Sequence, residues 1–113
     1  MEDCIFCKII DGSIPSNKAY EDDKIVAFHD LEPQAPVHVL VIPKQHICCA
    51  DKIDESNADV IAHIFTKIPE IAKSLGITNG YRIVTNCGKE GCQSVYHIHF
   101  HLMGGKQLNG RMA

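Results

Sequence analysis

The chain has 113 residues, 45% of them hydrophobic and 22% charged, and its 11 basic and 14 acidic side chains leave a net charge of −3. That length is one domain, residues 1–113, with a single modest core. No basic run is present, which excludes a long nucleic acid as the natural partner but leaves room for a single nucleotide.

No apolar run approaches the ~20 residues of a membrane-spanning helix, so no membrane partner is expected. The opening "MEDCIFCKII" lacks the basic and long apolar regions of a signal peptide, and a cytoplasmic protein is the expectation. In that setting cysteines are thiols or metal ligands, not disulfides. Of Cys4, Cys7, Cys48, Cys49, Cys87 and Cys92, only the first two have a ligand-like C-x-x-C spacing. Cys48 and Cys49 read as inert packing.

Taken in chain order, "CIFCKII" (4–10) is too apolar for a loose tail and reads as a short helix docked on the core. "DGSIPSN" (11–17) is a turn cluster. "KAYEDD" (18–23) is a short strand running into an acidic turn, and "KIVAFHD" (24–30) a strand rich in β-formers. "LEPQAP" (31–36), with two prolines, is a loop. "VHVLVIP" (37–43) is continuously apolar, which predicts a central strand buried on both faces. From Asp59 the residues Val60, Ile61, Ile64, Phe65, Ile68, Ile71, Ala72 and Leu75 recur with a 3.6-residue period, which predicts a helix stopped by Gly76. Pro69 inside it predicts a kink. "YRIVTNC" (81–87) is a strand, "GKEGCQS" (88–94) a glycine-containing loop, and "VYHIHFHLM" (95–103) a last strand. Strands joined by short turns favour antiparallel pairing, so the fold class is α+β.

The last strand raises the functional question. Alternation puts His97, His99 and His101 on one face, roughly 7 Å apart, and Ile98, Phe100 and Leu102 on the other. Three readings are open: an inert polar face, a three-histidine metal centre, or catalysis by imidazole, which can act as a nucleophile towards phosphorus. Lysine, glutamate and threonine more often fill inert faces. The preceding loop supplies Gly88, Gly91, Gln93 and Ser94, and a loop of this kind can present N–H groups to an anion. Loop donors ahead of a row of histidines suggest a phosphate site beside a nucleophile.

"HIHFHLM" matches the histidine triad pattern, His-φ-His-φ-His-φ-φ with φ apolar. With "YEDDKIVAFHDLEPQAPVHVLVIPKQHI" and "GYRIVTNCGKEGCQSVYHIHFHLMGG", it resembles the Hint branch of the histidine triad (HIT) superfamily from Cys4 to about Gln107. The resemblance implies a HIT-like fold: a five-stranded antiparallel sheet, one long kinked helix and a short N-terminal helix. It also implies a purine nucleoside phosphoramidate hydrolase, active on the P–N bond through a covalent nucleotidyl-histidine. His99 matches the nucleophile. Ser94 matches a serine near the leaving nitrogen, and His101 and His38 match histidines that hold the phosphate region. Asn86 and Gln93 match phosphate contacts, Asp30 the acidic residue that takes the ribose hydroxyls, and Ile5, Phe6, Ile9, Phe28 and Leu31 the walls of the base pocket. On their own, those five apolar residues would read as core.

Some bacterial members of the branch hold a structural zinc, and Cys4, Cys7, His46 and His97 stand at the matching places, a closed tetrahedral set. The family is usually homodimeric, and a homodimer is expected here. His29 and His63 receive no role. Cys92 stands where many relatives have glycine, so a positive φ there would strain the loop. The tail "KQLNGRMA" lacks the tryptophan and proline that influence substrate choice in some relatives. Two other readings are hydrolysis of dinucleoside polyphosphates, as in a sister branch, and a zinc-stabilised nucleotide-binding adaptor with little turnover. The short chain and its loop favour the Hint branch over the first; the intact triad argues against the second.

Overall fold

The computed structural model describes residues 3–112. Its elements are α1 (Ile5–Asp11), β1 (Lys18–Glu21), β2 (Ile25–His29), β3 (Val37–Pro43), a 3-10 turn (Ala50–Lys52), α2 (Ala58–Ser74), β4 (Tyr81–Val84) and β5 (Phe100–Gly104). The strands form one antiparallel sheet in the order β1-β2-β3-β5-β4. This is the expected α+β architecture. Among the described residues no helix is long and apolar enough to cross a membrane.

β3 occupies 37–43 as expected, and its alternation divides the core. Val39 and Val41 join Ile25, Ala27, Phe100, Leu102 and the α2 residues Ile64, Ile68 and Ile71. Leu40 and Ile42 face the other way and pack with Val26, Phe28 and the α1 residues Phe6 and Ile9. The sheet is thus covered by α2 on one face and α1 on the other, with both strand faces apolar where they cross the middle.

Local bonds explain where the elements stop. Cys4 sulfur caps α1 by accepting from the Cys7 N–H at 3.2 Å, and Gly12 ends the helix with φ +87°. Gly76, at φ +79°, ends α2 in a Schellman motif: the N–H of Ile77 reaches Ala72 and that of Gly76 reaches Lys73. α2 runs unbroken through Pro69, which lies on its exposed side.

Two strand boundaries differ from the sequence reading. β4 was expected over 81–87 and ends at Val84, and the final strand was expected over 95–103 and pairs only from Phe100 to Gly104. Both differences share a cause. The Thr85 hydroxyl takes the His99 carbonyl at 2.9 Å, and the Ile98 N–H turns to the Ile47 carbonyl. The β4–β5 ladder therefore begins at the Val84–His101 pair. His97 and His99 lie ahead of it.

His63 does have a partner. Its Nε2 lies 2.8 Å from Asp22 Oδ2, tying α2 to the turn after β1. Asp22 also accepts the Tyr20 hydroxyl and the N–H groups of Lys24 and Ile25. Burial alone would raise this carboxyl, but the bonds from His63, the two N–H groups and Tyr20 hold it well below the usual carboxylate range. A depressed carboxyl contributes stability above its unfolded pKa, near 4, and loses it as the pH falls below that value. Asp22→Asn is expected to destabilise the fold by about 1–3 kcal/mol at pH 7, with a smaller difference from wild type at pH 3, in urea titrations at the two pH values.

Candidate active site and metal centre

The expected shared face holds, but hydrogen bonding gives the three histidines different states. His97 Nε2 lies 2.8 Å from the Pro43 carbonyl. A carbonyl only accepts, so this nitrogen carries the proton and the lone pair sits on Nδ1. That Nδ1 faces Cys4 Sγ at 3.4 Å, Cys7 Sγ at 3.6 Å and His46 Nδ1 at 3.2 Å, and Cys7 Sγ is 3.4 Å from His46 Nδ1. The four ligand atoms lie within 4.8 Å of one another. Tetrahedral zinc, with bonds of about 2.3 Å to sulfur and about 2.0–2.1 Å to nitrogen, sets ligand separations of about 3.3–3.8 Å. Cys4, Cys7, His46 and His97 therefore form a Cys₂His₂ centre of zinc geometry. The Pro43 carbonyl is the outer partner that orients His97. Burial, then the adjoining Cys4 thiol, pushes Cys7 up to about 11, and burial drives His97 down to about 4 against the pull of the Pro43 bond. Two crowded thiols beside two imidazole nitrogens suit a cation between them.

His99 has the opposite tautomer. Its Nδ1 donates to the His97 carbonyl at 2.9 Å, which leaves the lone pair on Nε2. The ring is only 3% exposed, with the edge-on rings of Phe6 and His101 at 5.2 Å.

His101 belongs to a chain of donors. The Gln34 N–H donates to His38 Nδ1 at 2.9 Å, so the His38 proton is on Nε2. That proton points to His101 Nδ1 at 2.9 Å, with Asp30 Oδ2 at 3.4 Å. His101 is left with an Nε2–H donor. Burial, then its histidine neighbours, pushes His101 down to about 4, and burial also lowers His38 against the pull of Asp30. Both rings are neutral at pH 7. Asp30, His38 and His101 converge closely enough to suggest a second ligand set. In this arrangement the proton on His38 Nε2 is directed at His101 Nδ1, with Asp30 Oδ2 as the flanking acceptor.

A cleft of about 690 Å³ lies over these groups, lined by Asp30, Gln34, His38, Asn86, Ser94 and His101 among others. Five expected site residues thus meet in one place. Phe6, Ile9 and Phe28 are buried in the core under α1, Phe6 also forming an edge contact with His99. Ile5 is exposed beside a neighbouring hollow that Ser94 also lines, and Leu31 is 97% exposed. Gln93 is buried and fully engaged: its oxygen accepts the Gly88 N–H, and its nitrogen donates to the Cys48 and Val95 carbonyls. Its side chain shapes the loop. Asn86 donates to the Gly91 carbonyl and steadies the same turn.

Cys92 has φ +63°, the one non-glycine residue with positive φ among those described. Its N–H reaches the Lys89 carbonyl and that of Gln93 reaches Gly88, a Schellman closure whose left-handed position ordinarily takes glycine. The exposed thiol gains no packing for this strain. Cys92→Gly is expected to stabilise the protein by about 0.5–1 kcal/mol, a relief of about 1–2 kcal/mol less the added freedom of the unfolded chain. Urea denaturation measures it.

Sequence reasoning missed the cleft residues Arg82, Met103 and Lys106. Arg82 reaches the cleft through strand register: the β4–β5 ladder pairs it with Met103, two positions along from His101 and on the same face.

The comparisons agree with this architecture. The family model described as "Scavenger mRNA decapping enzyme C-term binding" matches residues 3–112. A 14 kDa zinc-binding protein of Brassica juncea is 49% identical over 109 residues, covering 95% of this chain and 96% of that protein. The adenylylsulfatase HINT1 of Arabidopsis thaliana is 48% identical over 107 residues, covering 93% of this chain and 73% of that protein. The solved structure of a HIT family hydrolase from Clostridium thermocellum matches with a TM-score of 0.96 at 45% identity, over 100% of this chain and 99% of that one. The chain belongs to the histidine triad superfamily. Its place is in the Hint-like branch, with a Cys/His metal site.

Proposed function

We propose that the protein hydrolyses purine nucleoside phosphoramidates, with His99 as nucleophile and zinc as a structural ion at Cys4, Cys7, His46 and His97. The observation that carries this reading is the bond from His99 Nδ1 to the His97 carbonyl. It turns the imidazole so that its free-base form carries the lone pair on Nε2, while His97 is turned the other way and committed to the sulfur cluster.

In the first step His99 Nε2 forms a bond to the α-phosphorus and the P–N bond breaks, its electron pair leaving with nitrogen. The departing nitrogen takes a proton from the Ser94 hydroxyl, which water restores. The His101 Nε2–H, backed by His38 and Gln34, donates to the developing charge on phosphate. In the second step water attacks phosphorus, its proton making good through solvent the one that Ser94 passed to the amine, the P–Nε2 pair returns to the imidazole, and nucleoside monophosphate leaves. Asp30 binds the ribose hydroxyls. Phe6, Ile9 and Phe28, with Ile5 and Leu31 at the rim, back the base. Asn86 and Gln93 act by holding the phosphate loop. A homodimer belongs to the same reading: β4 lies at the edge of the sheet, and Tyr81 and Phe65 are exposed large apolar residues near it. Sedimentation measures that assembly.

The test is rapid-quench mass spectrometry with adenosine 5′-phosphoramidate. A nucleotidyl adduct is expected on His99. An adduct on His101, or turnover without any adduct, would count against the assignment.

A further inference from the structure

The cleft over His101 has two unlike ends. The sheet order runs β2, β3, β5, β4, so the loop after β2 lies on one side of His101 and β4 on the other. The first side carries Asp30 and Glu32, and the second carries Arg82, joined by Lys106 from the segment after β5. Arg82 shares the face of His101 and Met103, one alternation step further along the sheet. Its guanidinium is anchored, because Nη2 donates to the Asn109 carbonyl. That bond holds the tail against β4 and leaves other guanidinium donors uncommitted.

Among the described residues neither cation has an ion-pair partner. The pairs among the described residues are Lys18 and Lys44 with Glu21, His38 with Asp30, His63 with Asp22, and Lys67 with Glu70. Of the two carboxylates of the cleft, Asp30 is engaged at both oxygens, Oδ1 accepting the Glu32 N–H and Oδ2 facing His38, and Glu32 lies with it on the side away from Arg82. Two unpaired cations lining a concave site beside donor histidines offer an anion charge-assisted hydrogen bonds in a partly desolvated setting.

We infer that Arg82 and Lys106 form a subsite for a negatively charged leaving group, so that the preferred substrate carries a second anion beyond the scissile bond. This rests on the proposed hydrolase reading. With ribose at Asp30 and phosphorus between His99 and His101, the acidic side holds the nucleoside and the basic side receives the departing group. A carboxylate-bearing amine and a sulfate both have the required chemistry.

The experiment compares three substrates: the adenosine 5′-phosphoramidate of glycine, the same compound as its glycine methyl ester, and adenylyl sulfate. The first two share the P–N bond and differ by one charge. Wild type is expected to favour the acid over the ester by about tenfold in kcat/KM. That ratio should approach one in Arg82→Gln/Lys106→Gln and survive in Arg82→Lys, which keeps the charge. It should also shrink as salt rises. Loss of the acid preference together with a fall in adenylyl sulfate turnover in the double variant assigns both carboxylate and sulfate to the subsite, and a fall confined to the glycine acid assigns carboxylate; either supports the inference. Both phosphoramidates turned over with no acid preference, or with a preference that the double variant keeps, would overturn the inference and leave the hydrolase reading intact. No turnover of any of the three would overturn the hydrolase reading itself.

Discussion

His99→Ala is expected to lower turnover of a nucleoside phosphoramidate by roughly four to six orders of magnitude while leaving the protein folded. The size follows from the lack of a substitute. His97 has its Nε2 bound to Pro43 and its Nδ1 facing two sulfurs, so it has no lone pair to offer phosphorus. His101 receives the His38 proton on Nδ1 and presents an N–H from the other nitrogen. Of the three, only His99 has Nδ1 held by a carbonyl, which puts the lone pair of its free-base form on Nε2. His101→Ala is expected to cost less, because it removes a donor to the phosphate and leaves the covalent route in place. Single-turnover kinetics on the two variants, with thermal melts as controls, measures the separation. Activity of His99→Ala within tenfold of wild type would place the nucleophile elsewhere.

The parts of this site that were legible in the sequence are those set by periodicity and by pattern. The unbroken apolar run of β3 reported a strand buried on two faces, and its alternation put His38 in line with Leu40 and Ile42. The His-x-His-x-His spacing reported a common face, and four matched positions reported the metal site. What stayed hidden were choices made by single hydrogen bonds. Thr85 and Ile47 claim the backbone around Ile98 and His99, so β5 starts three residues after the first triad histidine. Gln93 has the amide of a phosphate ligand, yet both its N–H donors are spent on the Cys48 and Val95 carbonyls, and its oxygen accepts the Gly88 N–H. Arg82 was invisible for a different reason: its place in the cleft depends on strand register, which sequence does not print.

Zinc removal is the second large effect expected, and its consequences should fall on stability far more than on chemistry. The four ligands join three distant pieces of chain: the cap of α1, the segment after β3 and the approach to β5. A metal bound only by the folded state stabilises by about 4 kcal/mol when free zinc is a thousandfold above its dissociation constant. For a chain of this length that amounts to roughly 15 °C in Tm on chelation. Both cysteines must lose protons to bind, so the stabilisation should weaken as pH falls, the more so because burial already raises Cys7. His97→Ala separates the two roles of this residue. It deletes the ligand ring but keeps the carbonyl that fixes the His99 tautomer. The variant is expected to lose zinc and most of the thermal stabilisation, yet to retain kcat within about tenfold of wild type at a temperature below its melt. Cys7→Ser should behave alike, since it too leaves the His99 bond untouched. Elemental analysis, melts with and without chelator, and kcat on the same preparations measure all three quantities. A kcat loss in His97→Ala as deep as that of His99→Ala would mean that the ring of His97, and not its backbone carbonyl, is what holds the nucleophile in place.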